Sequence, residues 1–132
     1  MPSAPTWSFP PRPSTSHVRW ITPDPLVEGR LFTAIEDGAL LRSLDSGEHW
    51  EDRKPGGPLD THTLVMHPLA PNRLYVAAGD GFLQAGNSFM QSEDGGQTGY
   101  QPDEGLQHHY LWGAAADPAN RDLSLARSSA GP

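Results

Sequence analysis

Three pairs of polar or aromatic residues precede three prolines at the same distance, and their side chains suit the binding of a polar ligand. The residues eight and six positions before Pro25, Pro68 and Pro118 are, in order, His17 and Arg19, Asp60 and His62, and Tyr110 and Trp112. Residues two apart on a strand share a face. We expect the six, together with His109, to line a site for a sugar-like or anionic ligand. The alternative is that they cap or pair strand ends.

The same positions offer two other chemistries. Three imidazoles, from His17, His62 and His109, are ligands that zinc accepts, but His109 lies one residue out of register. The prediction is therefore no metal and no other cofactor. Glycoside hydrolysis typically needs two carboxylates about 5–10 Å apart, and these positions hold one acid, Asp60, beside Arg19. The sequence therefore identifies no catalytic pair.

Further charged residues lie outside these positions. Glu36 and Asp37 fall at the end of a predicted hairpin, where we expect solvated side chains. Arg12 belongs to a proline-rich loop that we expect to reach the same face as the paired residues.

A repeat positions these residues. The aromatic residues Trp7, Trp50 and Tyr100 lie 43 and 50 residues apart, and each is followed 18 residues later by one of the three prolines. A period of 40–50 residues with several short strand patterns is typical of a four-stranded propeller blade. The prediction is an all-β fold, a partial β-propeller of four-stranded antiparallel blades. The expected parts are a blade tail at 1–14, complete blades at 15–57 and 58–107, and an incomplete blade at 108–132.

Two departures from the repeat carry expectations of their own. Six extra residues near Leu83–Ser88 are expected to lengthen the hairpin between the second and third strands of the second blade. After Asn120 the sequence RDLSLARSSAGP is polar and unpatterned, so no second strand is expected there.

Two turn motifs follow the third predicted strands. Their residues are Ser43, Asp45, Gly47 and Trp50 in the first, and Ser92, Asp94 and Gly96 in the second. The pattern Ser-x-Asp-x-Gly-x-x-Trp resembles the Asp-box of the BNR repeat, although Gly99 replaces the second tryptophan and Tyr100 follows it. Asp-box propellers include sialidases, xyloglucan-cleaving glycosidases, sortilin-like receptors, photosystem assembly factors and uncharacterised bacterial repeat proteins.

The resemblance implies that the boxes lie at the periphery of the blades, away from the ligand face. Asp45 and Asp94 are then expected to cap their own turns rather than to act in catalysis. Neither box has the ligand count of an EF-hand-type calcium loop.

Composition excludes several classes of partner. The 132-residue chain has a formal net charge of −7 and a pI near 5.1, which argues against nucleic acid. It has no cysteine, no signal-peptide pattern and no apolar run of membrane-spanning length. These features favour the cytoplasm and no membrane partner. Two blades leave sheet faces and edges open, so self-association is expected.

The functional prediction is a non-catalytic ligand-binding or scaffold module from a longer protein, with a carbohydrate or small polar ligand as its partner. The alternative is a fragment of a propeller glycoside hydrolase of sialidase-like or xyloglucan-cleaving type.

Overall fold

The computed structural model describes residues 1–7, 15–102 and 104–132. Its regular structure is eight strands: β1 (His17–Pro23), β2 (Leu31–Glu36), β3 (Ala39–Ser43), β4 (Thr61–Met66), β5 (Leu74–Ala78), β6 (Phe89–Ser92), β7 (Tyr110–Ala116) and β8 (Ser124–Ser129). Two 3-10 turns lie at Ala4–Thr6 and Asp80–Phe82, and the described residues contain no α-helix. No helix in these ranges has the length and apolar character needed to cross a membrane.

The strands form three small sheets. Sheet 1 has the order β1-β2-β3, sheet 2 the order β4-β5-β6, and sheet 3 the order β7-β8. Neighbouring strands whose register is defined run antiparallel. The fold is therefore all-β, a partial propeller. The chain divides into two compact units, residues 1–61 with sheet 1 and residues 62–132 with sheets 2 and 3, with β4 beginning at the boundary.

The expected fourth strand of each blade is reduced to one bridge. Arg42 pairs with Glu51, and Gln91 pairs with Tyr100, each outside the named strands. In sheet 1 the sequence soon turns to Pro55-Gly56-Gly57, where proline cannot donate to a ladder and glycine weakens a strand. Sheets 1 and 2 are therefore three-stranded, each with one further bridge in place of a fourth strand.

The prediction that no strand follows Asn120 is wrong. β8 pairs with β7 from Tyr110↔Ser129 to Ala116↔Ser124. The turn before it is closed by the N–H of Asp117, which donates to the carbonyl of Leu123 at 3.0 Å. An edge strand of a two-stranded sheet has little to bury, so it needs no alternating apolar pattern.

Turns after the first strands are capped by the residue that precedes each aligned proline. In the first repeat, Asp24 Oδ1 accepts the backbone N–H of Leu26 at 2.8 Å and of Val27 at 3.1 Å. Its Oδ2 lies 2.6 Å from Arg30 Nη2, and both side chains are buried. This arginine is therefore paired within its own turn.

Histidine replaces that aspartate in the second repeat and joins two sheets. His67 Nδ1 accepts the N–H of Leu69 at 3.1 Å, so this histidine caps its turn as Asp24 does. The proton then lies on Nε2, which donates to the carbonyl of Asp117 at 3.0 Å. Arg73, with no aspartate at position 67, reaches Asp122 Oδ1 at 3.0 Å. The turn of sheet 2 is thereby tied to the turn of sheet 3.

Each unit has its own apolar cluster. In the first, the buried residues Ile35, Ala39 and Leu41 pack with Trp50 and with Trp7. Residues 1–7 thus belong to the first unit, while the predicted loop carrying Arg12 lies outside the described residues. In the second, the buried residues are Tyr75, Ala77, Phe89 and Leu111.

Candidate functional site

An aromatic cluster lies at the beginning of β7 in the second unit. Trp112 stacks on the ring of His62, with centroids 4.9 Å apart and planes 18° apart. Tyr110 meets Trp112 at 5.1 Å and 70°, and it also meets Phe82 edge-on at 6.1 Å. Trp112 is 40% exposed and Phe82 is 56% exposed. The four rings, which we call the aromatic cluster, offer aromatic surface to solvent.

His62 supports this cluster from below. It is only 8% exposed, which corrects the expectation that its ring lines an open site. Its Nδ1 lies 2.6 Å from the carbonyl of Leu111, which can only accept, so Nδ1 carries the proton. Its Nε2 then accepts from the hydroxyl of Tyr110 at 3.4 Å. The ring is thereby fixed under Trp112.

A β-bulge sets the direction of Trp112. The register between β7 and β8 shifts between Leu111 and Gly113, and the register between β1 and β2 shifts equivalently between Val18 and Trp20. A bulge leaves one residue unpaired and re-aims its side chain. The bulged residues Trp112 and Arg19 occupy the same place in the repeat.

The extended hairpin of sheet 2 brings Phe82 to the cluster. The insertion between β5 and β6 begins with the 3-10 turn Asp80–Phe82, so the predicted lengthening of this hairpin is confirmed. Its Gly81 lies against the third repeat. A Cβ there would stand 2.1 Å from the carbonyl oxygen of His109 and 2.7 Å from Ser88 Cβ. Only glycine lets this turn approach the start of β7.

A charged cluster occupies the corresponding place in the first unit. Glu36 lies 3.4 Å from His17 Nδ1 and 3.4 Å from Arg19 Nη1 through its two carboxylate oxygens. Arg19 Nη1 also lies 3.5 Å from Asp60 Oδ1. The predicted residues His17 and Arg19 therefore lie against Glu36, and Asp60 is linked to them through Arg19. With Asp37 they form what we call the acidic cluster.

Asp37 is the perturbed member of that cluster. Burial raises the pKa of its carboxyl above the usual 3.8, and the negative charges of Asp60 and Glu36 raise it further. Its backbone is left-handed, with φ of 51°, which aspartate tolerates better than most residues. A carboxyl that keeps its proton more readily than its neighbours has the property required of a general acid.

The two boxes have one hydrogen-bond pattern. Ser43 Oγ donates to Asp45 Oδ1 at 2.8 Å and accepts the N–H of Gly47 at 2.9 Å. Ser92 does the same with Asp94 at 2.9 Å and with Gly96 at 2.9 Å. In each turn, the serine hydroxyl thus links the aspartate to the glycine by hydrogen bonds.

The box carboxylates also cap their turns. The N–H of His49 donates to Asp45, and with the His49 side chain and Ser43 it lowers the pKa of Asp45 to about 2. Burial opposes ionisation of Asp94, but hydrogen bonds from Thr98, Ser92 and Gln97 outweigh it and lower the pKa to about 2. Each carboxylate is committed to its turn, which is the role we expected.

The metal alternatives find little support in these contacts. Both ring nitrogens of His62 face protein atoms, so the three-histidine zinc site loses a ligand. Asp45, Glu48 and His49 offer ligand atoms within 4.8 Å of one another, but all three are exposed. His49 Nδ1 already lies 2.7 Å from Asp45 Oδ2.

The structure thus places six of the seven predicted site residues in two clusters. The seventh, His109, lies just before β7, and its carbonyl lies against Gly81. The sequence did not point to Phe82, Glu36 and Asp37 as site residues. Phe82 lies in the lengthened hairpin between β5 and β6, and a bulky aromatic residue there was the available signal. Asp37-Gly38 read as an ordinary hairpin end. The pKa of Asp37 is raised by burial and by Asp60, which lies 23 residues away in the sequence, in addition to the adjacent Glu36.

Comparison with known proteins bears on the fold. One solved structure, described as the crystal structure of an ancestral GH74 enzyme, matches with a TM-score of 0.66 and 17% sequence identity. The match covers 84% of this chain and 13% of that chain. This likeness supports the propeller architecture, and the chain corresponds to about one eighth of that enzyme. No family model matches the sequence, and no curated protein matches it.

Proposed function

We propose that this chain is an Asp-box propeller repeat module that binds a carbohydrate, without catalysis, at the aromatic cluster. The observation that carries the proposal is the exposed ring of Trp112, held by His62 beneath it and flanked by Tyr110.

The chemistry of the cluster suits a sugar ring. One face of a pyranose carries C–H groups, and these pack against the electron-rich face of an aromatic ring. Sugar hydroxyls need hydrogen-bond partners at the edge. Tyr110 supplies a hydroxyl, and Ser129 Oγ lies 3.2 Å from the indole nitrogen of Trp112. Apolar surface with a few fixed polar groups is the usual composition of a small-molecule site.

The test is binding of oligosaccharides by isothermal titration, after a glycan array has identified a binder. Trp112→Ala removes the exposed ring and is expected to weaken binding at least tenfold, about 1.4 kcal/mol. His62→Ala is expected to weaken binding through loss of support under the indole.

The matched control is Leu69→Ala, which truncates a side chain that is 74% exposed and outside the cluster. It should bind like the unaltered chain. Unchanged binding by folded Trp112→Ala protein, or no glycan bound at all, would refute the proposal.

The second candidate function, a fragment of a propeller glycoside hydrolase, is favoured by the raised pKa of Asp37 beside Glu36 and Asp60. Glycosidases use one protonated and one ionised carboxyl. Release of reducing sugar from the glycan identified above, abolished by Asp37→Asn and Asp60→Asn, would favour this function. Binding without release favours the first.

A further inference from the structure

The contact between sheets 2 and 3 shows how one sheet of this repeat covers the next. From sheet 2, the buried side chains of Tyr75, Ala77 and Phe89 form the receiving face. From sheet 3, Leu111 completes their cluster, and Ala114 and Ala116 pack against it. The bulge at Trp112 places Leu111 on the same face as the two alanines, because it shifts the alternation of side chains by one.

The face of β7 that packs against sheet 2 is its covering face, and the equivalent face of β1 in sheet 1 is exposed. Counting back along the repeat, Leu111 corresponds to Val18 and Ala114 to Ile21, and the bulge lies between them in both strands. Val18 and Ile21 are each 59% exposed. These two β-branched apolar side chains therefore face solvent, whereas the equivalent residues of β7 pack against a sheet.

Sheet 3 has the same receiving face, also exposed. Tyr75 corresponds to Leu125, fifty residues later, and Ala77 corresponds to Arg127. Tyr75 is 1% exposed, whereas Leu125 is 71% exposed and Arg127 is exposed as well. The same place in the repeat is therefore buried in sheet 2 and open in sheet 3.

We propose that a second copy of this chain occupies these faces, head to tail. The Val18 and Ile21 face of one copy covers the Leu125 face of the other, as β7 covers β5 within the second unit. The contact extends an interface that this sequence already forms. Each copy carries both halves of it, and the halves differ, so the association is heterologous.

The charges at the two faces and the number of sheets in two copies both agree with a second copy as the occupant. Arg127 would lie toward the end of sheet 1 that carries Glu36 and Asp60, so opposite charges meet. Two copies together supply six sheets, within the range of about four to eight blades in closed propellers. A dimer is therefore the expected species.

The association is weaker than the contact it repeats. Between sheets 2 and 3, His62 and Thr63 donate to the carbonyls of Leu111 and Trp112 at 2.6 and 3.0 Å. Their counterparts in sheet 3 are Trp112 and Gly113, and the glycine has no donor side chain. The dimer therefore depends on apolar contact and forms in a concentration-dependent way.

The test is sedimentation equilibrium of the whole chain over a hundredfold range of concentration. The unaltered chain is expected to pass from monomer to dimer. Leu125→Glu and Ile21→Glu each place a carboxylate in one half of the contact and should raise the dissociation constant at least tenfold. Leu69→Glu adds the same charge to an exposed position outside both faces and should leave it unchanged. Circular dichroism checks that each variant is folded.

Mixing the two variants gives the decisive measurement. The Leu125→Glu chain keeps its sheet 1 face and the Ile21→Glu chain keeps its sheet 3 face, so an equimolar mixture should form a heterodimer that neither forms alone. A symmetric contact cannot be restored in this way. Monomer at every concentration, or folded single variants that dimerise like the unaltered chain, would overturn the proposal.

Discussion

At the scale of single residues, Asp37 shows how burial and neighbouring charges change the pKa of a side chain. It belongs to a hairpin end and reads as a solvated acid in the sequence. In the folded chain it is partly buried near Asp60 and Glu36, and its pKa rises. A raised carboxyl pKa means that the folded state favours the protonated form, so ionised Asp37 opposes folding.

Asp37→Asn is therefore expected to raise the melting temperature at pH 7. Stability associated with the neutral form is present in acid and is lost as the pH rises through the folded pKa, above 3.8. The difference in melting temperature between the asparagine variant and the unaltered chain should therefore be absent near pH 3 and increase as the pH rises. Asparagine also tolerates the left-handed backbone at this position.

Thermal melts from pH 3 to pH 7 measure this difference. Glu48→Gln, which removes an exposed charge elsewhere in the unit, is the control and should show no comparable gain. If the asparagine variant is no more stable than the unaltered chain at pH 7, then ionised Asp37 does not destabilise the folded chain.

At the scale of elements, the turn Asp80–Phe82 depends on a glycine for reasons of space. Gly81→Ala is expected to destabilise the chain by about 1–3 kcal/mol or more, because the new methyl group meets backbone rather than a movable side chain. Gly113→Ala is the matched control, since a Cβ there has no atom within 4 Å. Urea unfolding of both variants gives the comparison, and equal midpoints would contradict the close approach of Gly81 to His109.

Repeat spacing predicted the first strand of each repeat, but it did not predict β8. Strands β1, β4 and β7 could be placed because the prolines fix their ends. β8 could not, since its ladder with β7 and the turn at Asp117 hold a sequence that has no apolar alternation.

The candidate site was predictable to a similar degree. The spacing located His62, Tyr110 and Trp112 at equivalent ends of the first strands of two repeats, and they do meet. It could not show that His62 lies beneath and Trp112 above, because a bulge sets that order. It also could not bring Phe82 to them, because that contact comes from an insertion.

At the scale of the whole molecule, both boxes respond to acid in the same direction. Asp45 and Asp94 have their pKa lowered to about 2. Their contribution to stability is present above the unfolded value near 4 and is lost as the pH falls through the folded value near 2. The chain is therefore expected to lose stability steeply between pH 4 and pH 2.

The double variant Asp45→Asn, Asp94→Asn tests this behaviour. It should be less stable than the unaltered chain at pH 7 and should show a shallower loss between pH 4 and pH 2. Urea midpoints at each pH supply the measurement, with Glu104→Gln as an exposed-charge control. An unaltered slope in the double variant would place the acid sensitivity elsewhere.

The exchange of aspartate for histidine at position 67 has a mechanical consequence. Asp24 holds Arg30 inside one turn, whereas His67 and Arg73 reach across to Asp117 and Asp122. A force applied to β8 is therefore transmitted to sheet 2 through these turn contacts as well as through the packing between the two sheets. Within the second unit, His67 and Arg73 thus add a mechanical connection between sheets 2 and 3 to the apolar packing of Leu111.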